Sequence, residues 1–115
     1  MILESNRRQV EPDITVYELS GRMSLGSASQ ALEWKLAALP GEGVRKLVVD
    51  LTNLASIDSA GVGILVMIAG KFADVGGKMK IAGARGGVAN VFTIVHMDKI
   101  VDLQPDADTA CKSFV

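Results

Sequence analysis

The sequence places a carboxylate and a hydroxyl side by side at Asp58 and Ser59, directly before a run of small and apolar residues. In most proteins such a pair simply caps a helix, which is worth about 1 kcal/mol. The start of a helix also carries free N–H groups and a partial positive charge, so it accepts an anion readily. Ser59 is therefore either part of a plain cap or a hydroxyl that could carry a phosphate without disturbing the fold.

Two glycines follow this pair, at Gly61 and Gly63. Each glycine in a helix costs about 1 kcal/mol relative to alanine, so the fold or the function must offset the loss. Close approach of another chain to a surface without side chains is one explanation. Tight packing of the predicted helix on a sheet is the other, and the sequence leaves both open.

Hydrolytic chemistry at Ser59 lacks the partners that it requires. Ile57 stands where a Gly-x-Ser-x-Gly nucleophile elbow has its first glycine. His96 is the only histidine and follows a different predicted helix, whose last carbonyls it is expected to cap. Cys111 is the only cysteine, so no cysteine-rich metal site is expected. We predict a chain that is not an enzyme and has no catalytic residue, metal or cofactor of its own.

The elements that must position Asp58 and Ser59 alternate between strand-like and helix-like patterns. Five segments are short, apolar and rich in β-branched residues, and they are predicted as strands: Met1–Val10, Ile14–Leu19, Lys46–Leu51, Met79–Ala82 and Ile100–Leu103. Strands joined through helices run parallel, while the first two, joined by a turn, are predicted to be antiparallel. The fold class is α/β, with a mixed sheet of four to five strands.

About four helices are predicted from apolar residues at helical spacing. Their stripes are Leu25, Ala28, Leu32, Leu36 and Leu39; Val62, Leu65, Val66, Ala69, Phe72 and Ala73; Val88, Val91, Phe92 and Val95; and Ala107, Ala110, Cys111 and Phe114. Met67, Met79 and Met97 are expected to fill the core. The sequence does not decide whether the helices cover one face of the sheet or both.

The composition limits the partners and the location that we expect. Twelve basic and thirteen acidic residues among 115 give a net charge of −1, which disfavours binding to nucleic acid. The start of the chain lacks the apolar core of a signal peptide, and the longest apolar stretch is too short to span a bilayer. We predict one domain over residues 1–115, located in the cytoplasm and not inserted in a membrane.

The stretch Ile57–Leu65, preceded by Lys46–Leu51 and followed by Gly77–Gly83, resembles the STAS domain. More narrowly, it is similar to the free-standing bacterial anti-sigma factor antagonists. The resemblance covers nearly the whole chain in length, element order and spacing. It implies a STAS-like mixed sheet and a partner-switching role in transcription regulation.

In that role, the unphosphorylated protein binds an anti-sigma factor that is also a serine kinase, and a sigma factor is released. The kinase uses ATP, held on the kinase and not on this chain, to phosphorylate the serine that matches Ser59, and a phosphatase reverses the change. The added charge beside Asp58 would abolish binding without refolding. The partner-binding residues implied by the resemblance are Ser24, Ile57, Asp58, Ser59, Ala60, Gly61 and Val62.

The chain departs from the family pattern before its first helix. Where the family often has Gly-Glu-hydrophobic-Asp, this sequence has Gly21, Arg22, Met23 and Ser24, which removes two negative charges. Ser24 is predicted as the N-cap of the first helix rather than as a second phosphorylation site. The altered charges keep open a second role within the family, as a subunit of a membrane transport complex or of a sensory assembly.

A response-regulator receiver domain is a third possibility, because Asp50 ends a buried strand in a chain of suitable length. That chemistry needs a cluster of acidic residues to hold Mg²⁺ beside the acceptor aspartate. The first two predicted strands supply no adjacent acidic pair at a carboxyl end. Asp50 is therefore predicted to be structural.

Overall fold

A computed structural model of the chain describes residues 1–114 as a five-stranded sheet with α-helices on its faces. The strands lie in sequence order, β1 (Glu4–Val10), β2 (Ile14–Met23), β3 (Lys46–Ile57), β4 (Lys78–Ala82) and β5 (Asp102–Gln104). β1 pairs antiparallel with β2, and the other neighbours are parallel. The predicted α/β class and the mixed sheet are confirmed.

The helices lie on both faces of the sheet, which answers the question that the sequence left open. They are α1 (Ser27–Ala38), α2 (Ser59–Asp74), α3 (Gly86–Ile94) and α4 (Ala107–Lys112). One large apolar core joins α1, α2 and α3 to the sheet through residues such as Leu36, Phe72 and Phe92. A smaller core holds α4 against the opposite face, where Ala107 and Ala110 pack with Val48. None of these helices, over residues 1–114, has both the length and the apolar character that a bilayer crossing requires.

The strands β2 and β3 extend beyond their predicted ends. β2 was expected to stop before Gly21, and β3 at Leu51, because polar and glycine residues follow. The structure accommodates these residues with register shifts between β2 and β3, and Gly21 takes a positive φ of 88°. As a result Met23 pairs with Ile57, and the two strands deliver the chain directly to the start of α2.

The start of α1 differs from the prediction. Leu25 was expected in the apolar stripe of this helix, but it precedes α1 and its side chain is 85% exposed. Ser24 is not the N-cap, because Gly26 occupies that position and no side chain caps the helix. Ser29 takes a buried place on the helix instead. The helix therefore starts later than its apolar pattern predicted.

The helix α2 follows its predicted stripe only in part. Its buried residues are Gly61, Leu65, Ile68 and Phe72, spaced by four, three and four residues. Met67, expected in the core, is 39% exposed, whereas Met79 and Met97 are buried as expected. The helix ends before Gly76, which takes a positive φ of 75°, the left-handed conformation that glycine commonly adopts just after a helix.

Lys80 lies in the interior, although its position in an alternating strand gave no sign of this. Its side chain is 4% exposed, and its Nζ lies 3.2 Å from Asp102 Oδ2 and 4.5 Å from the centre of the Phe114 ring. Nζ also donates hydrogen bonds to Ser113 Oγ at 2.6 Å and to Ser113 O at 3.0 Å. The charge is thus paired and fully hydrogen-bonded where α4 and the residues after it cover the sheet.

Candidate functional site

Asp58 is the single residue between the end of β3 at Ile57 and the start of α2 at Ser59. Its backbone N–H donates to Met23 O at 3.1 Å, which ties it to β2. Its Oδ1 accepts a hydrogen bond of 3.0 Å from Gly61 N, in the geometry of a helix N-cap. The sequence left open whether Asp58 or Ser59 caps the helix, and the structure assigns the cap to Asp58.

The second oxygen of the same carboxylate makes a long-range contact. Asp58 Oδ2 accepts a hydrogen bond of 3.0 Å from Leu25 N, so one side chain joins the start of α2 to the segment before α1. These bonds favour the ionised carboxylate. The N–H of Gly61 first, and then that of Leu25, lower the pKa of Asp58 below its ordinary value.

Ser59 is the first residue of α2 and is exposed. Its hydroxyl therefore lies outside the core, at the positive end of a sixteen-residue helix that a second molecule can reach. The neighbouring Asp58 is exposed as well. A phosphate on Ser59 would lie beside this carboxylate and beside the free N–H groups of the first turn.

The structure gives a reason for only one of the two glycines of α2. A β-carbon on Gly61 would lie 2.7 Å from Ile57 Cγ1 and 2.9 Å from Met23 O, so Gly61 lets the helix pack tightly on the sheet. A β-carbon on Gly63 would meet nothing within 4 Å, and Gly63 is exposed. Packing therefore explains Gly61 and does not explain Gly63.

The predicted partner-binding residues include some that reach the surface and some that are buried beneath it. Asp58 and Ser59 are exposed, and Ser24, Ala60 and Val62 are half-buried. Ile57 and Gly61 are buried, so they shape this part of the molecule from below rather than face a partner.

Leu25 was not among the predicted partner-binding residues, but the structure brings it to the same place. It borders a groove of about 350 Å³ between α1 and α2, which Ala60 and Ile64 also line and where Gln30 and Glu33 supply polar atoms. We call Leu25, Asp58, Ser59 and Ala60 the docking surface. The one sequence signal that could have placed Leu25 before the helix is the glycine that follows it. Gly26 is the N-cap of α1, a position that glycine can occupy.

The other residues considered in the sequence take no part in this site. His96 is exposed, with a φ of 56°, and ends α3 through its backbone N–H, which donates to Thr93 O. Burial raises the pKa of the Cys111 thiol, which disfavours the reactive thiolate. Asp50 Oδ1 accepts hydrogen bonds from the backbone N–H and the hydroxyl of Thr52, a structural role.

Residues 1–114 contain no group of three or more His, Cys, Asp or Glu side chains that could hold a metal ion. The antiparallel β1 and the strand order also differ from the all-parallel sheet of a receiver domain. This sheet rules out the receiver-domain alternative.

The fold agrees with comparisons to known proteins. The family profile described as the STAS domain matches residues 7–110, and the chain therefore belongs to the STAS domain family. A candidate anti-sigma factor antagonist of Bordetella bronchiseptica, BtrV, is 30% identical over 96 residues, which cover 84% of this chain and 82% of BtrV. The resemblance to anti-sigma factor antagonists is thus confirmed.

Solved structures show the same fold. The crystal structure of an anti-sigma factor antagonist from Mycobacterium paratuberculosis has a TM-score of 0.86 at 21% identity, covering 96% of this chain and 92% of the other. The Bacillus cell fate determinant SpoIIAA in its phosphorylated form has a TM-score of 0.76 at 17% identity, covering 97% and 100%. At these identities the likeness extends to the fold alone.

Proposed function

We propose that this chain is a phosphorylation-controlled protein-binding switch in the cytoplasm. In its unphosphorylated form it binds an anti-sigma factor that is also a serine kinase, and a sigma factor is released. The kinase transfers the γ-phosphoryl group of ATP to Ser59 Oγ with loss of ADP, and a phosphatase removes it by hydrolysis. The chain itself performs no catalysis in this cycle.

The observation that carries the proposal is the exposure of Ser59 as the first residue of α2, directly after the capping Asp58. A kinase can reach a hydroxyl in this position, and the helix terminus tolerates the phosphate. Membership of the STAS domain family and the similarity to BtrV, itself a candidate anti-sigma factor antagonist, support the choice of partner.

The loss of partner binding on phosphorylation follows from the charge that the phosphate adds. A phosphate adds about −1.5 to −2 charges and three acceptor oxygens at a point that was neutral. Asp58 is already ionised beside it, so two anions would have to be desolvated together under a bound partner. A loss of about 3 kcal/mol, or about a hundredfold in affinity, is expected from an unpaired buried charge of this kind.

The test is to mix the chain with ATP and the candidate partner, a small ATP-binding serine kinase that the proposal expects to be encoded by a neighbouring gene. A mass gain of about 80 Da confined to the peptide that contains Ser59, and absent from Ser59→Ala, is the expected result. Modification of another residue, or none with an active kinase, would refute the proposal. A transporter permease in the neighbouring gene, with no kinase, would favour the transport-complex role that the altered Arg22 and Ser24 left open.

A further inference from the structure

The residue best placed to respond to a phosphate on Ser59 is Leu25, which the resemblance did not indicate. Leu25 is 85% exposed on the docking surface, the largest exposed fraction among the large apolar side chains that the structure describes. Its backbone N–H donates to Asp58 Oδ2 at 3.0 Å. Asp58 therefore fixes where Leu25 stands relative to Ser59.

The carboxylate that holds Leu25 also depends on the first turn of α2. Asp58 Oδ1 accepts from Gly61 N, while Asp58 O accepts from Val62 N in the first bond of the helix. A phosphate on Ser59 would bring three further acceptor oxygens to the same N–H groups and the same positive helix end. Two anions would then compete for one set of donors, and the more highly charged one is favoured.

We propose that a phosphate on Ser59 displaces the Asp58 carboxylate from the first turn of α2, breaks its bond to Leu25 N, and so releases the segment before α1. In this proposal Leu25 is the apolar anchor that enters a pocket of the partner protein, and Asp58 is the residue that positions it. The inference rests on the proposed function, because it assigns a second effect to the same phosphorylation.

Electrostatic repulsion by the phosphate would by itself leave Leu25 in place, whereas displacement of the Asp58 carboxylate moves it. The docking surface would therefore lose its apolar contact as well as gain an anion. Releasing a fixed loop also adds the cost of ordering it again when the partner binds. The two effects act in the same direction and make the switch sharper than electrostatic repulsion alone.

Amide hydrogen exchange, measured by NMR on the 115-residue chain without any partner, tests this directly. Three chains are compared: the native one, the same chain with phosphoserine genetically encoded at position 59, and Asp58→Ala. Asp58→Ala removes both carboxylate bonds and defines the exchange rate of a released Leu25 amide. Ser59→Ala, which keeps the carboxylate and adds no charge, is the matched control, and the Val49 amide in β3 is the reference for global stability.

We expect the Leu25 amide to exchange at least about tenfold faster in the phosphoserine chain, close to its rate in Asp58→Ala, with Val49 unchanged. Ser59→Ala should match the native chain. An unchanged Leu25 rate in the phosphoserine chain, or in Asp58→Ala, would overturn the inference. If the phosphoserine chain failed to bind the partner while Leu25 stayed protected, the proposed function would stand and only this device would fall. If it still bound the partner tightly, the proposed function itself would fail.

Discussion

Gly61 lies against Ile57 so closely that a β-carbon on the glycine would come within 2.7 Å of Ile57 Cγ1. This contact sets the distance between the first turn of α2 and the end of β3. Because Met23 O would also lie 2.9 Å from that β-carbon, neither neighbouring strand leaves room for a side chain. The position of Ser59 on the surface therefore depends on a glycine two residues away.

The two glycines of α2 provide a matched pair of substitutions. Gly61→Ala should destabilise the protein by about 1–3 kcal/mol, because the methyl group overpacks the contact with Ile57 and Met23. Gly63→Ala should instead stabilise it by up to about 1 kcal/mol, since alanine favours the helix and nothing lies within 4 Å. Urea unfolding measures both. Equal effects of the two changes would contradict the tight packing at Gly61.

Substitution of Ser59 should separate the two states of the switch. Ser59→Ala should bind the partner whether or not ATP is present, and Ser59→Glu should bind about a hundredfold more weakly. Isothermal titration calorimetry with the partner kinase gives both affinities. Ser5→Glu, on the exposed edge strand β1, adds the same charge elsewhere and should bind like the native chain. Native affinity for Ser59→Glu would refute the electrostatic account.

Leu25 should matter for binding and not for stability. Leu25→Ala should lower the affinity for the partner about tenfold or more, as expected of a central apolar anchor. Its melting temperature should stay close to that of the native chain, because the side chain is already 85% exposed. Ile94→Ala is the control, since Ile94 is 76% exposed at the end of α3, in a different helix from the docking surface. Equal binding losses for both variants would mean that Leu25 has no special role.

The sequence predicted the order of elements and the place of the site because both depend on local patterns. Asp58 and Asp106 precede apolar helices, and each accepts a hydrogen bond from a backbone N–H of the turn it caps. Gly76 follows α2 in the left-handed conformation, which depends on the presence of a glycine at that position. These features need no knowledge of the rest of the chain.

The features that the sequence could not predict depend on residues far apart in the chain. Leu25 stays outside α1 because its N–H bonds to Asp58, 33 residues away. Lys80 is buried because Asp102 and Ser113 meet it on the covered face of the sheet. The extension of β3 to Ile57 likewise depends on β2 continuing beside it through two irregularities.

The buried Lys80 gives a stability prediction. Lys80→Met keeps the apolar stem but leaves Asp102 without its cation, so the free energy of unfolding should fall by about 1–3 kcal/mol, less than for a fully buried pair because Asp102 is 29% exposed. Lys78→Met, at an exposed position of the same strand, is the matched control and should change stability little. Chemical denaturation of both variants measures the difference, and an equal response would argue against the pair.

Stability should depend on pH through the two capping carboxylates. The N–H of Gly61 lowers the pKa of Asp58, and the N–H of Thr109 lowers that of Asp106. A lowered pKa in the folded state means that the contribution is present above the ordinary aspartate value of about 3.9 and is lost as pH falls through the lower folded value. The melting temperature should therefore fall at acid pH. Asp58→Asn with Asp106→Asn, which keep capping side chains, should flatten that fall, and an unchanged acid slope would contradict the assignment.

The direct passage from β3 through Asp58 into α2, with no intervening loop, has a consequence for how a partner associates. Ser59 is fixed between two regular elements, the central strand β3 before it and the sixteen-residue helix α2 that it begins. An incoming protein meets a preformed shape and has little backbone to immobilise on this chain, so association in the unmodified state resembles the docking of two rigid bodies.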